Sequence, residues 1–200
     1  MHPAPAFHWE DQAALCAFAK AIGFGMLFAQ TPKGPRVAHL PFVPLGPDRL
    51  CFHLARTNDL VAHLAGATAL FVVTGPDGYI SPDWYGLPNQ VPTWNYLAAE
   101  FEGPIARLDE DGLLAQVDAL SAMHEAHLAP KTPWTRDKMD PAIASRLLSG
   151  IYGFEMQITT WRGTAKLGQN KPEEVRLKAA DALEAAGNTA LAAMMRHPPR

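Results

Sequence analysis

The sequence is short of cysteine, of charge of one sign and of long apolar runs, and each shortage closes off a class of function. Cys16 and Cys51 are the only cysteines among 200 residues. Two isolated thiols build neither a disulfide framework nor a zinc site, and in a reducing compartment such residues act as small buried hydrophobes. Charged residues make up 18% of the chain and leave a net charge of -3, whereas nucleic-acid binders carry a basic excess that releases counterions from phosphate. DNA as a partner would have to rely on a local patch or an assembled dimer; net charge does not support it. The longest apolar runs, such as Ala67 to Thr74, fall far short of the roughly 20 residues that span a bilayer, so no membrane helix is expected. The start, Met1-His2-Pro3-Ala4-Pro5, lacks the basic head and apolar stretch of a secretory signal, which predicts a cytoplasmic protein. Also missing are a Ser-His-Asp arrangement, a Gly-rich nucleotide loop, an internal repeat and a long linker.

What is there is an apolar fraction of 48%, enough to bury a full core in one domain with or without an added helical layer. His8 to Ile22 reads as a first helix, with Ala13, Ala14, Phe18 and Ala21 on one face and Glu10 and Asp11 at its front. Phe24 to Gln30, Val37 to Val43 and Leu50 to Leu54 read as three strands joined by tight turns, an antiparallel meander. Thr57-Asn58-Asp59 offers a cap for a short helix over Leu60 to Leu64, closed by Gly66. Ala67 to Val73 reads as a strand buried on both faces, and Gly75 to Pro92 as a long aromatic loop. Trp94 to Phe101 resumes a strand; helices follow over Gly112 to Leu128 and Pro141 to Leu148, with Ala129 to Asp140 as a surface excursion. Gly153 to Trp161 is the last clear strand, Thr164 to Leu167 a short extended piece, and Lys171-Pro172-Glu173-Glu174 opens a helical, Ala-rich tail. Residues 1–171 form one domain in this reading, with 172–200 packed on it or on a partner subunit. Antiparallel strands with inserted helices predict a small barrel, not a parallel α/β sheet.

Three segments could carry chemistry. At Phe52-His53-Leu54-Ala55-Arg56-Thr57-Asn58 a guanidinium, a hydroxyl and an amide precede the N–H groups of a new helix, which suits a phosphate, although from this segment alone a simple helix cap beside a surface arginine is the plainer reading. The aromatic stretch from Tyr79-Ile80-Ser81-Pro82 through Trp84-Tyr85 to Trp94 offers flat walls for a planar ligand, or seals a barrel mouth or dimer interface. Lys166-Leu167-Gly168-Gln169-Asn170-Lys171 could bring an ammonium and amides to an anionic edge, or be a solvated turn capped by Asn170. His124 and His127 lie one turn apart on a helix with no third ligand placed by the sequence, so no metal site is assigned.

Taken together, these segments resemble the PaiB-type FMN-binding proteins, a family described as negative transcriptional regulators. The match is carried by His39-Leu40-Pro41-Phe42, His53-Leu54-Ala55-Arg56, Tyr79-Ile80-Ser81-Pro82 with Trp84-Tyr85, Val91-Pro92-Thr93-Trp94-Asn95-Tyr96, and Gly153-Phe154-Glu155 followed by Lys166-Leu167 and Gln169-Asn170-Lys171. The resemblance implies a split β-barrel related to the pyridoxamine-phosphate-oxidase-like flavoproteins, a homodimer with FMN at the subunit interface. By the same resemblance Ala38, His39 and Leu40 run along the flavin, partly through backbone groups. His53, Leu54, Ala55, Arg56, Thr57 and Asn58 hold the phosphate, with Arg56 the main charge. Ser81, Trp84 and Trp94 shape the ring pocket, and Lys166, Gln169 and Asn170 reach in from the C-terminal segment. Gly168 stands where the family usually shows Ser, and Asn89 where a Lys is expected.

The resemblance implies an FMN-binding regulator. Two other readings stand beside it: an FMN-dependent oxidoreductase acting on a small molecule or NAD(P)H, with His39 or His53 the first groups to examine for proton transfer, and a haem-binding split barrel.

Overall fold

The computed structural model describes residues 2–199; Met1 and Arg200, the outermost residues of the two predicted segments, lie outside them. In chain order the strands and helices are β1 (His8–Trp9), α1 (Gln12–Ile22), β2 (Phe24–Thr31), β3 (Gly34–Pro41), β4 (Val43–Pro44), β5 (Arg49–Ala55), α2 (Val61–Leu64), β6 (Thr68–Ile80), β7 (Thr93–Arg107), α3 (Glu110–Glu125), α4 (Pro141–Leu148), β8 (Ile151–Gln157), β9 (Thr160–Lys166), α5 (Glu173–Ala185) and α6 (Thr189–Arg196). The chain divides into two compact units. One comprises Cys16–Val72 and Phe101–Thr160, the other Met1–Leu15, Val73–Glu100 and Trp161–Arg200.

The first unit is built on antiparallel strands in the order β3-β2-β6-β7-β8-β5-β4. Strand alternation turns Phe52, Phe71 and Phe154 to one face, where they and Phe42, from the joint between β3 and β4, are fully buried. Phe42 meets Phe71 edge-on at 4.9 Å between centroids, and Phe52 stacks on Phe154 at 5.9 Å; such ring pairs add to the stabilisation from the apolar area they bury. Helix α3 covers the other face of β4, β5 and β8. Gly103 lets β7 pass β8: a Cβ there would lie 1.8 Å from the Gln157 carbonyl oxygen, so no other residue fits without moving backbone.

In the second unit β7 neighbours β6 and β9, and β9 takes β1 through His8↔Thr164 and Trp9↔Gly163. Helices α5 and α6 pack on each other through Val175, Ala179, Leu183, Leu191, Ala192 and Met195. Asn188 caps α6 by accepting from the Leu191 N–H at 3.2 Å, and its own amide donates to the Asp77 carbonyl at 2.9 Å. The tail is thereby tied to β6.

Several expectations are corrected. The three-stranded meander does not form: β3 pairs with β2, but β5 pairs with β4 and, over seven positions, with β8, while β2 gives its other edge to β6. The seven-position ladder with β8, which sets Phe52 beside Phe154, takes the place of pairing between successive strands. The first helix begins at Gln12, because Trp9 is buried in a strand and Asp11 acts as a cap, accepting from the Ala14 N–H at 3.0 Å. Its buried positions are Leu15 and Ala19, not Ala13 and Ala21. Cys51 is buried as expected, but Cys16 is half-exposed. The strand at Ala67 to Val73 is buried on one face only and runs on to Ile80, so the aromatic loop is shorter than predicted and contains a 3-10 turn at Pro82–Tyr85. The last predicted strand is two strands, divided where Ile158 N–H turns to the Asp48 carbonyl and Thr159 N–H to that of Glu102.

Candidate functional site

The predicted site residues fall in both units. In the first unit, Ala38 and Leu40 of β3 point into the core while His39 is exposed on the opposite face. Strand β3 ends the strand order, so one of its edges has no strand partner among the described residues. The exposed face is apolar across three strands. Register sets Val37, Phe28 and Leu70 in one row and His39, Met26 and Val72 in the next. Phe24, Phe28 and Val37 are 49%, 37% and 44% exposed, an uncommon concentration of uncovered large side chains.

On β5, Phe52 and Leu54 point inward, and His53 turns the other way, towards α3, where its Nδ1 lies 3.1 Å from Gln116 Oε1. The Gln116 side chain is buried and its Nε2 has no hydrogen-bond partner among the described residues. Arg56 is exposed in the turn just after β5, and its guanidinium lies over the Tyr152 ring, 4.2 Å from the centroid. Arg107 lies over the same ring at 3.5 Å. Neither arginine makes an ion pair among the described residues.

The helix-start donors expected beside Arg56 are already engaged. Helix α2 has four residues and no side-chain cap. The Asn58 N–H donates to the Ala55 carbonyl, the Leu60 N–H to Asn58 Oδ1 and the Val61 N–H to the Asn58 carbonyl. A local Asx turn has taken these groups. For a phosphate, this segment therefore offers the arginine charge and not a row of free amides. Thr57 is exposed beside it.

In the second unit, Ser81 caps the 3-10 turn by accepting from Asp83 N–H at 3.4 Å. Trp84 is half-buried, whereas Trp94 is 51% exposed, held by Nε1 donating to Asp77 Oδ1 at 3.0 Å and by the edge of Tyr79. Lys166 and Asn170 meet Tyr85, Thr93, Asn95 and Lys171 around a small cavity of about 170 Å³. Lys166 donates to Thr93 Oγ1 at 2.7 Å, and Lys171 donates to Gln90 Oε1 at 2.5 Å while lying 4.2 Å above the Tyr85 ring. Burial raises the Tyr85 hydroxyl above its ordinary pKa. Gln169, by contrast, spends both ends of its amide on the backbone, accepting from Leu167 N–H at 2.7 Å and donating to the Ala165 carbonyl.

Tyr152 and Arg107 lie outside every segment that the sequence singled out; Tyr85, Asn95 and Lys171 stand within such segments but were given no role of their own. For Arg107 and Tyr152 the signal was alternation: each continues the inward row of its strand beyond Ile105 or Phe154. The two departures from the family pattern share a backbone cause. Gly168 has φ +83° and Asn89 φ +60°, a left-handed region that Gly and Asn tolerate better than Ser or Lys.

The residues present fit a flavin mononucleotide in kind: an unpaired guanidinium for the phosphate, an edge strand for polar atoms of the chain and an uncovered apolar face for a flat ring. Among the described residues there is no group of three His, Cys, Asp or Glu side chains able to hold a metal ion, and no helix is long and apolar enough to cross a membrane.

Comparison with known proteins agrees. Residues 1–160 match the family model described as "Putative FMN-binding domain". The chain is 32% identical over 163 residues to Protease synthase and sporulation protein PAI 2 of Bacillus subtilis (strain 168), covering 78% of this chain and 76% of the relative. Among solved structures it is similar to the FAD and heme binding protein from Mycobacterium smegmatis, with a TM-score of 0.62 and 19% identity over 90% of this chain and 80% of that one. It is also similar to the flavocytochrome Anf3 from Azotobacter vinelandii, with a TM-score of 0.59 and 16% identity over 82% and 72%. At such identities these likenesses concern the fold alone, which is the antiparallel split barrel with its sheet left open. On the family match and the curated relative together, the chain belongs to the FMN-binding domain family of PaiB-like proteins.

Proposed function

We propose that the protein is a homodimeric FMN-binding regulator in which the exposed rows of β2, β3 and β6 meet the flavin and a second copy of the chain. The observation that carries this reading is the uncovered apolar face formed by Val37, Phe28 and Leu70 with His39, Met26 and Val72. Water is a poor cover for such a face, and a flat ring together with a partner chain removes it from solvent. The edge of β3 supplies unpaired backbone groups beside it, and Arg56 supplies a permanent charge for the phosphate. Bound FMN would bring a redox-active ring; the chain's own residues anchor the phosphate, orient the ring against the strands and limit its contact with water. His39, exposed on the same face, is the ionisable side chain in those rows.

Purified protein with the flavin absorption bands, releasing FMN on denaturation, supports this reading. Arg56→Ala is expected to weaken FMN binding by at least about tenfold, the usual scale of a charge-assisted phosphate contact. Unchanged affinity removes Arg56 from the site. The regulatory task is what the family resemblance implies; the name of the Bacillus subtilis relative ties that protein to protease synthesis and sporulation, and direct DNA binding is tested by a mobility shift of promoter DNA at low salt. A sequence-specific, salt-sensitive shift favours direct operator binding; no shift at any salt ends it.

A further inference from the structure

We propose that Arg107, with Tyr152 as its platform, is a second phosphate-holding residue, so that the phosphate seat is a pair of arginines on one tyrosine and not Arg56 alone. The inference deepens the flavin reading above and rests on it for the identity of the ligand, but the seat has its own geometry. Strand β8 lies between β5 and β7 in the strand order, and a polar residue stands at or just past the end of the core-facing row of each. Phe52 and Leu54 are followed by Arg56, Ile105 by Arg107, and Phe154 is preceded by Tyr152. The three side chains converge where the apolar core stops.

Both guanidinium carbons lie over the Tyr152 ring, at 4.2 and 3.5 Å from its centroid. Their separation is therefore no more than about 8 Å, within the span of one phosphate seated at the edge of the ring, where its terminal oxygens can take charge-assisted hydrogen bonds from both. Two like charges at such a distance repel. The face of the ring offsets part of that cost, and the remainder calls for an anion. No carboxylate of the described residues supplies one: Glu110 and Asp111 line the groove that Arg56 enters, yet neither forms an ion pair with it. Arg136, which lines the same groove, is committed to Asp118. Among the described residues Arg56 and Arg107 are thus left with their side-chain donors free, and a phosphate monoester is the ligand chemistry that matches them.

The test compares ligands that differ only in the phosphate. FMN, riboflavin and inorganic phosphate are titrated into wild-type, Arg107→Ala and Arg107→Lys protein, flavins by fluorescence quenching and inorganic phosphate by broadening of its 31P line. The expected result is that wild type prefers FMN to riboflavin, that Arg107→Ala lowers this preference about tenfold or more with riboflavin affinity unchanged, and that Arg107→Lys restores it only in part. A preference for FMN that survives Arg107→Ala overturns the inference and leaves the flavin reading standing. If wild type binds neither flavin but broadens the phosphate line, and Arg107→Ala abolishes the broadening, the flavin reading fails and the arginine seat stands. No response to any of the three ligands overturns both. Tyr152→Leu, which removes the platform and keeps both charges, is expected to weaken FMN binding without affecting riboflavin; an unchanged FMN affinity removes the tyrosine from the seat.

Discussion

At the scale of single residues, burial decides what ionisable and charged groups can do. Cys51 is fully buried, and burial first, then the nearby Glu155 carboxylate, pushes its thiol up to about 12. In the native state it keeps a proton that an unfolded chain gives up at about pH 8.5. Its contribution to stability is therefore complete below that value and is lost as pH rises towards 12. Urea midpoints should fall across this alkaline window in wild type and fall less steeply in Cys51→Ala; parallel declines would show that other groups govern alkaline stability. At neutral pH a thiol reagent should label Cys16, which is half-exposed, and reach Cys51 only after denaturant is added. Arg176 is a different case. This guanidinium is 8% exposed and donates to the carbonyls of Met195 and Arg196 at the C-terminal end of α6, where carbonyls lack helical partners. Arg176→Met keeps the bulk but leaves those acceptors unpaired, and should cost about 2–3 kcal/mol in urea unfolding. A loss below 0.5 kcal/mol, on the order of a surface substitution, would mean that water takes over the cap.

At the scale of elements, the segment between α3 and α4 is held largely by side-chain charge. Arg136 grips Asp118 of α3 through two hydrogen bonds at 3.0 and 2.9 Å, and Glu125 binds Lys131 and accepts from the Trp134 N–H at 2.7 Å. The hydrogen bond from Arg136 lowers the Asp118 pKa and that from Lys131 lowers the Glu125 pKa. Carboxylates with depressed native pKa values stabilise above their unfolded values and lose that effect as pH falls through the folded ones, here below about pH 4. The protection factor of the Trp134 amide should therefore fall on acidification before those in β5 and β8 do, and in Glu125→Gln it should be lower already at neutral pH. Equal acid sensitivity in both regions would contradict this. The same segment illustrates what the sequence makes legible. Asp140 and Pro141 mark the start of α4 through local chemistry, as Gly66 marks the turn before β6, and these boundaries were readable. The pairing of β5 with β8 was not, because alternation tells which face a residue takes but not which strand, some hundred residues away, lies beside it. For the candidate site, the sequence offered the charge of Arg56 beside a helix start. The loss of the α2 donors to an Asx turn, and the meeting of Arg107 with Tyr152, depend on backbone details and register that no local pattern encodes.

At the scale of the whole molecule, the remaining question is what covers the apolar rows of β2, β3 and β6. A net charge of -3 is too small to keep copies of the chain apart at ordinary salt, and a two-fold pair would use the same face on both copies. The chain of 21.7 kDa should therefore run as a dimer in light scattering at micromolar concentration. Phe28→Asp is the discriminating variant, because Phe28 lies between Val37 and Leu70 and is 37% exposed in the single chain. A carboxylate there costs the monomer little but would be buried without a partner in the dimer, a penalty of several kcal/mol. The variant should be a folded monomer with native far-ultraviolet dichroism, and its affinity for both FMN and riboflavin should fall, since the ring loses its wall whether or not a phosphate is attached. That pattern differs from the one expected at Arg107, where only the phosphate-bearing ligand is affected. A Phe28→Asp protein that stays dimeric and keeps its flavin would place the interface and the ring elsewhere on the molecule.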